Sequence, residues 1–463
     1  MTLSHPREQP ASPASASHAE TPPPAEHAER PASLPAFRRL WAADTVSQAG
    51  TAVTLLALPL VAIATLDATP FQAGLLVTCE YLAFLLVGLP AGAWVDRSRH
   101  RRVMIAGDLG RAVLLASVPV AALLGVLTLP QLYAVAFGLS LCTVFFDVAA
   151  QSLLPRMVDG ERLVEANVRL ETTRNLVQAA GPGVGGVLLA VVASPVALAL
   201  DAFSYLASAL LLARIRQADT VPGPDAALGT GAGDRDPGDK GRAGLRAEIG
   251  AGLRFVFRHP LLRAVTLASA ISNFCGTIGA AMLMVLLAGE LELSPLWCGL
   301  VFTAEAIGGL LGGLLTARLA ARFGTGLAMG GSVLLSGVLW LAAVPSFQAD
   351  WRFAVGVALQ GLGWAAFMPF KIGAVTLRQR VCPPDLLGRV TATVRFVVWG
   401  TMPLGALVGG LLGEHFGART ALWVGAVAEL FAVLPLLLSR PDGKSEGLPA
   451  DRRRRTGPRH DAE

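Results

Sequence analysis

Twelve apolar runs, each near the length of one bilayer crossing, occupy most of this chain, with short joints between them except for one long segment between the sixth and seventh. They lie at 37–65, 70–95, 103–126, 130–153, 166–192, 194–214, 260–288, 294–318, 325–345, 351–377, 387–412 and 418–439. About 20 residues of α-helix cross a hydrocarbon core, so every run is a candidate span. In lipid each backbone N–H and C=O must be satisfied internally, and the runs lack the two-residue alternation of barrel strands; they are therefore read as helices. Composition agrees, with 53% hydrophobic and 15% charged residues against roughly 45–50% and about 25% in soluble domains. The expected fold class is an all-α polytopic membrane protein with twelve transmembrane helices.

The chain also repeats itself. Gly74-Leu-Leu-Val-Thr-Cys-Glu80 returns 225 positions later as Gly299-Leu-Val-Phe-Thr-Ala-Glu305. Ser47-x-x-Gly50-Thr51 returns as Asn273-x-x-Gly276-Thr277 and Gly185-Gly186 as Gly409-Gly410, at shifts of 226 and 224. Three echoes in one register predict two pseudo-symmetric six-helix halves, and in chains this apolar such symmetry is typical of transporters.

Charge placement predicts orientation. The joints after even-numbered runs carry Arg97, Arg99, Arg101 and Arg102, then Arg156 and Arg162, then Arg214 and Arg216, then Arg318 and Arg322, then Arg378, Arg380 and Arg389. Joints 66–70, 127–130 and 193–195 contain no Lys or Arg. The positive-inside rule then places the basic joints and both termini in the cytoplasm of a cell-membrane protein. The net charge of +5 is accordingly topological, and no nucleic-acid partner is expected.

Residues 1–36 read as a disordered cytoplasmic tail without a cleavable signal, 37–216 as the first bundle and 217–258 as the cytoplasmic linker. Within that linker, Leu253 to Arg258 is basic and amphipathic and is expected to lie along the inner surface. Residues 259–440 form the second bundle and 441–463 a disordered basic tail. Cys79, Cys142, Cys275, Cys298 and Cys382 show no paired spacing. No metal, cofactor or nucleophile constellation appears, so an enzyme is not expected.

The joint after the second run reads Gly88-Leu-Pro-Ala-Gly92-Ala-Trp-Val-Asp96-Arg97-Ser-Arg99-His100-Arg101-Arg102. An acid where a helix leaves the membrane is suited to dock on the positive N-terminal end of another helix or on an Arg. Gly-x-x-x-Asp-Arg followed by basic residues between helices 2 and 3 resembles the signature loop of the major facilitator superfamily. Phe146-Asp147-Val148-Ala149-x-Gln151-Ser152-Leu153-Leu154-Pro155-Arg156 is similar to the macrolide-efflux and enterobactin-exporter branch. The resemblance implies a gating latch of Gly92, Asp96, Arg97 and Arg101, with Asp96 closing on the start of helix 11 near Leu387 to Arg389. Asp108 and Arg111, one turn apart, would extend it. Arg99 stands where the family has Gly, and Ala321 lies opposite Asp96 in the second half, so the latch is expected to be one-sided.

Gly181-Pro182-Gly183-Val184-Gly185-Gly186 combines small residues that let helices approach with a proline that bends its own helix. The string resembles the antiporter motif of the family, which implies export in exchange for protons; Val177 replaces one of its glycines.

Ionisable residues at membrane depth point to a site. Glu80 lies ten residues beyond Pro70 and Glu305 ten beyond Pro295, about 15 Å into each helix at about 1.5 Å per residue. That is the midplane, where transport sites of this architecture lie, and the two acids are candidates for proton and substrate binding. Asp44, Asp147 and Arg395 are further candidates, with Arg395 as a buried partner for one acid and Arg174 expected to pair with Glu171 or Asp147. Tyr81, Phe84, Phe145, Asn273, Gln360 and Trp364 are candidate lining residues of an otherwise apolar cavity, which suits bulky amphipathic molecules. The expected function is proton-driven export of such small molecules by alternating access, carried out by a monomer embedded in the lipid bilayer. An importer or uniporter of the same fold, or a non-transporting sensor or scaffold, are the alternatives.

Overall fold

The computed structural model describes residues 34–96, 98–158, 160–215, 250 and 252–439. The expected tails, apart from 34–36, and nearly all of the linker lie outside these residues. The first half comprises α1 (Leu34–Leu60), α2 (Pro70–Asp96), α3 (His100–Leu123), α4 (Leu129–Leu153), α5 (Gly160–Val191) and α6 (Ser194–Ala213). The second comprises α7 (Pro260–Met284), α8 (Pro295–Phe323), α9 (Thr325–Ala343), α10 (Arg352–Val381), α11 (Pro384–Gly400 continuing as Met402–Phe416) and α12 (Ala418–Leu430, extended to Leu438).

Among the described residues, eleven helices are long and apolar enough to cross a membrane. The twelfth, α5, is continuous, but Glu161, Arg162, Glu165, Arg169, Glu171 and Arg174 make its first half too polar for that test. The helix therefore starts at Gly160, earlier than hydropathy places it, because charged residues disfavour lipid without disfavouring helix.

The repeat is written into the backbone. α1 ends in a π-helical turn at Val61–Thr65 and α7 in one at Val285–Glu290. The joints that follow place Asp67 at φ 48° and Glu292 at φ 49°, non-glycine residues in the left-handed region, 225 positions apart. Ala68 N–H donates to Ala62 O at 3.0 Å and Leu293 N–H to Leu287 O at 2.9 Å, again 225 apart. Pro70 and Pro295 then open α2 and α8, where a missing N–H costs nothing.

Within each half the helices pack as a bundle, α1 against α5 and α6, α3 against α4 and α6, α8 and α9 against α10, and α7 against α11 and α12. The halves meet where α2 crosses α11 and where α5 crosses α8. Both crossings are glycine on glycine: a Cβ on Gly410 would lie 3.1 Å from Gly74 Cα, and one on Gly186 would lie 3.1 Å from Gly299 Cα. Lipid offers no hydrophobic drive for helices to associate, so close backbone approach at small residues supplies the packing.

Two local findings depart from the sequence reading. α11 breaks at Thr401, one residue before Met402-Pro403; Pro403 has no N–H to continue the ladder, and the Thr401 hydroxyl donates to Ala270 O of α7 at 3.1 Å. A short helix at 252–258 does not simply lie along a surface, for its Val256 is fully buried against Leu262, Cys382 and Val390 of the second half.

The crossings generate a prediction. Gly299→Ala places a methyl carbon against Pro182 O and Gly186 Cα, whereas a Cβ at Gly276 meets open space. Gly299→Ala should lower stability by about 1–3 kcal/mol, read as a lower unfolding midpoint in detergent, and Gly276→Ala should not.

Candidate functional site

Glu305 sits at the same turn of α8 as Glu80 does of α2, eleven residues into each helix. On the α8 side, Gln360 Nε2 of α10 donates to Glu305 Oε1 at 2.7 Å. The indole of Trp364, one turn further along α10, also reaches this carboxylate. Trp364 belongs to an aromatic group with Trp340 and Phe367, centroids 5.9–6.0 Å apart. A carboxylate with two neutral donors and an aromatic wall has the parts needed to receive a polar or cationic group on an apolar body.

Glu80 has a different neighbourhood. It is half-buried, and none of the described residues donates a hydrogen bond to it. Phe84, one turn on, meets Trp399 of α11 edge to face at 5.0 Å. Arg395 is not the buried ion-pair partner expected of it: its guanidinium lies 4.2 Å from the Trp399 ring centroid. Its charge still reaches Asp147 across the interface between the halves. Thr78 donates to Pro403 O at 3.3 Å, which seats α2 against the break in α11. Trp399 and Thr78 go unnoticed in the sequence, since an isolated Trp or Thr in an apolar run carries no signal of its own.

The remaining acids are committed elsewhere. Asp44 is buried in α1, and Arg174 of α5 grips it with Nε at 3.1 Å and Nη2 at 2.9 Å. Arg174 thus takes neither Glu171 nor Asp147 as its hydrogen-bond partner; the two-pronged fit to a single carboxylate is the stronger geometry. Asp147 lies half-buried in α4 within the field of Arg174 and Arg111.

Asp108 and Arg111 do not extend a latch toward the second half. Asp108 is fully buried, pairs with Arg111 and accepts from Ser208 of α6 at 2.6 Å. The Arg111 guanidinium is clamped between Phe146 and Tyr205 at 4.4 and 4.3 Å from the ring centroids. These charges tie α3, α4 and α6 together inside the first half, because a buried charge is tolerable only when paired. Arg101 likewise donates to Leu212 O and Ala213 O at 3.0 and 2.7 Å, closing the end of α6. Asp96 is the last residue of α2, Arg97 lies outside the described residues, and a Cβ on Gly92 would meet open space.

In α5, Gly181 and Gly185 receive α1, while Pro182 and Gly186 receive α8. One short motif therefore joins its own half and bridges to the other. Of the lining candidates, Tyr81 is half-buried beside Glu80, Phe145 stacks on Trp94 at 6.0 Å, and Asn273 turns its amide back to Ser269 O at 2.9 Å. No metal-ligand cluster occurs among the described residues.

Two six-helix halves joined at glycine crossings, with one acid at the same turn of the repeat on each side, define a membrane transporter. The chain belongs to the transmembrane secretion effector family of the major facilitator superfamily, whose model matches residues 28–453. It is 28% identical over 409 residues to the multidrug efflux pump Tap of Mycolicibacterium fortuitum, covering 86% of this chain and 92% of that one. It is 27% identical to an uncharacterized transporter of the superfamily, YfiS of Bacillus subtilis, over 83% of this chain and 88% of that one. Among solved structures, a bacterial homologue of the iron transporter ferroportin in an inward-facing state matches at a TM-score of 0.69 and 19% identity, over 87% of this chain and 98% of that one. A point mutant of the nucleoside transporter NupG matches at 0.67 and 13% identity, over 88% and 100%.

The buried pair gives a direct expectation. Arg111→Leu leaves Asp108 without its cation and should cost about 3–5 kcal/mol, seen as a large fall in the unfolding midpoint. The double variant Asp108→Leu/Arg111→Leu, with no orphaned charge, should recover much of that loss.

Proposed function

We propose that this transporter exports bulky amphipathic small molecules across the cell membrane, in exchange for protons, by alternating access. The observation that carries the reading is the placement of Glu80 and Glu305: equivalent turns of the repeat, opposite halves, aromatic surroundings, and no ion pair among the described residues. An acid in that setting can hold a proton until a substrate group displaces it. The name of the Tap pumps supports export, and the α5 motif supports exchange.

In this reading the basic joints and both termini face the cytoplasm, and a monomer is the working unit. The halves rock about the glycine crossings, opening the central site to one face and then the other. Asp96 at the end of α2 closes against the start of α11 when the cytoplasmic side shuts. Gln360 and Trp364 orient Glu305, and Phe84 and Trp399 supply the facing apolar surface.

The test uses a strain stripped of its other efflux pumps and vesicles prepared from it. Glu80→Gln and Glu305→Gln should each reduce gradient-driven efflux of a lipophilic dye by at least roughly tenfold, the scale of removing one proton-transfer group. Passive exchange of the same dye should survive. If both variants keep full gradient-driven efflux, neither acid is the coupling group.

A further inference from the structure

The contact that closes the short-loop end of the interface is not only apolar. Phe71 N–H, in the first turn of α2, donates to Glu414 Oε2 in the last turn of α11 at 3.1 Å, and the Thr69 side chain reaches the same carboxylate. The partners are 343 residues apart and belong to opposite halves. The first amides of a helix have no partner in their own ladder and form its positive end, which makes a carboxylate a fitting cap.

We propose that Glu414 is a latch that holds the short-loop end of the transporter closed and is released when that end opens. One turn before it, Gly410 lies on the backbone of Phe71 and Gly74. Separating α2 from α11 at this end therefore breaks the cap along with the glycine contact. The first-half position matching Glu414 by the 224-residue shift is Ala190, which can make no such cap at the α5 and α8 crossing.

α2 and α11 run antiparallel, and each ends in an acid: Asp96 is the last residue of α2, and Glu414 lies in the last turn of α11. Glu414 meets the first turn of α2, and in the latch proposed above Asp96 meets the first turn of α11, at the opposite end of the same crossing. The two contacts exclude each other when the halves rock, so a single helix pair provides a lock for each state. The Asp96 half of this pairing rests on the latch proposed above; the Glu414 half rests on its own contact.

Hydrogen–deuterium exchange on the purified full-length transporter tests the idea without substrate, so a wrong export reading would not affect the result. Glu414→Ala should speed exchange of peptides covering 70–76 by roughly tenfold, the scale of a hydrogen bond to a charged acceptor. It should also slow exchange at 98–104 and 384–392, as the population moves toward closure of the basic end. Glu414→Gln, which keeps an acceptor oxygen and the side-chain shape, should shift both regions in the same directions by less, and it serves if the alanine variant folds poorly. Acceleration confined to 70–76, with the basic end unmoved, would reduce Glu414 to a local cap and overturn the proposal; so would no change in either region.

Discussion

Backbone-to-backbone contact at two glycine crossings is the constraint on which the rest of this transporter depends. Helices in lipid gain little from burying apolar side chains against one another, and packing distance decides how strongly they associate. Gly74 on Gly410 and Gly186 on Gly299 bring α2 to α11 and α5 to α8 as closely as main chains allow. Glu80 and Glu305 each lie six residues beyond a crossing glycine, about 9 Å along the helix. The same contact that joins the halves therefore sets the depth of both acids.

Acids with and without ionic partners are divided between different places in the fold. The first half buries Asp44 with Arg174 and Asp108 with Arg111, pairs that fix helices to one another within that half. Glu80 and Glu305 have no ionic partner among the described residues; neutral donors or aromatic rings stand around them. A paired acid stabilises one packing, whereas an acid beside neutral groups can change its protonation without breaking that packing. The symmetry of the repeat holds for the scaffold and fails for these charges, since among the described residues both buried ion pairs lie in the first half.

Much of the scaffold is legible in the sequence. Hydropathy locates the helices, and the echo of Gly74 to Glu80 locates the crossing and the acid together, because both signals are local in the chain. What escapes is long-range choice among partners. Arg174 has an acid at Glu171 one turn away, yet it takes Asp44, 130 positions distant, because α1 and α5 are neighbours only in the folded bundle. Arg101 reads as one of a basic cluster, but the carbonyls at the end of α6 claim it. Glu414 attracts no attention in the sequence since it lies at a helix edge, where charges are ordinary; only the arrival of Phe71 from the other half gives it a task. The break at Thr401 is announced by Pro403, but its site depends on the hydroxyl contact with α7.

The claim at the centre is that substrate movement out of the cytoplasm is tied to proton entry. Inverted membrane vesicles carrying the wild-type transporter test it most directly, by following accumulation of a fluorescent lipophilic dye with an imposed proton gradient and again after the gradient is dissipated. The account predicts uphill accumulation that requires this chain and collapses with the gradient. Accumulation indifferent to the gradient, or movement that only ever runs downhill, would contradict it.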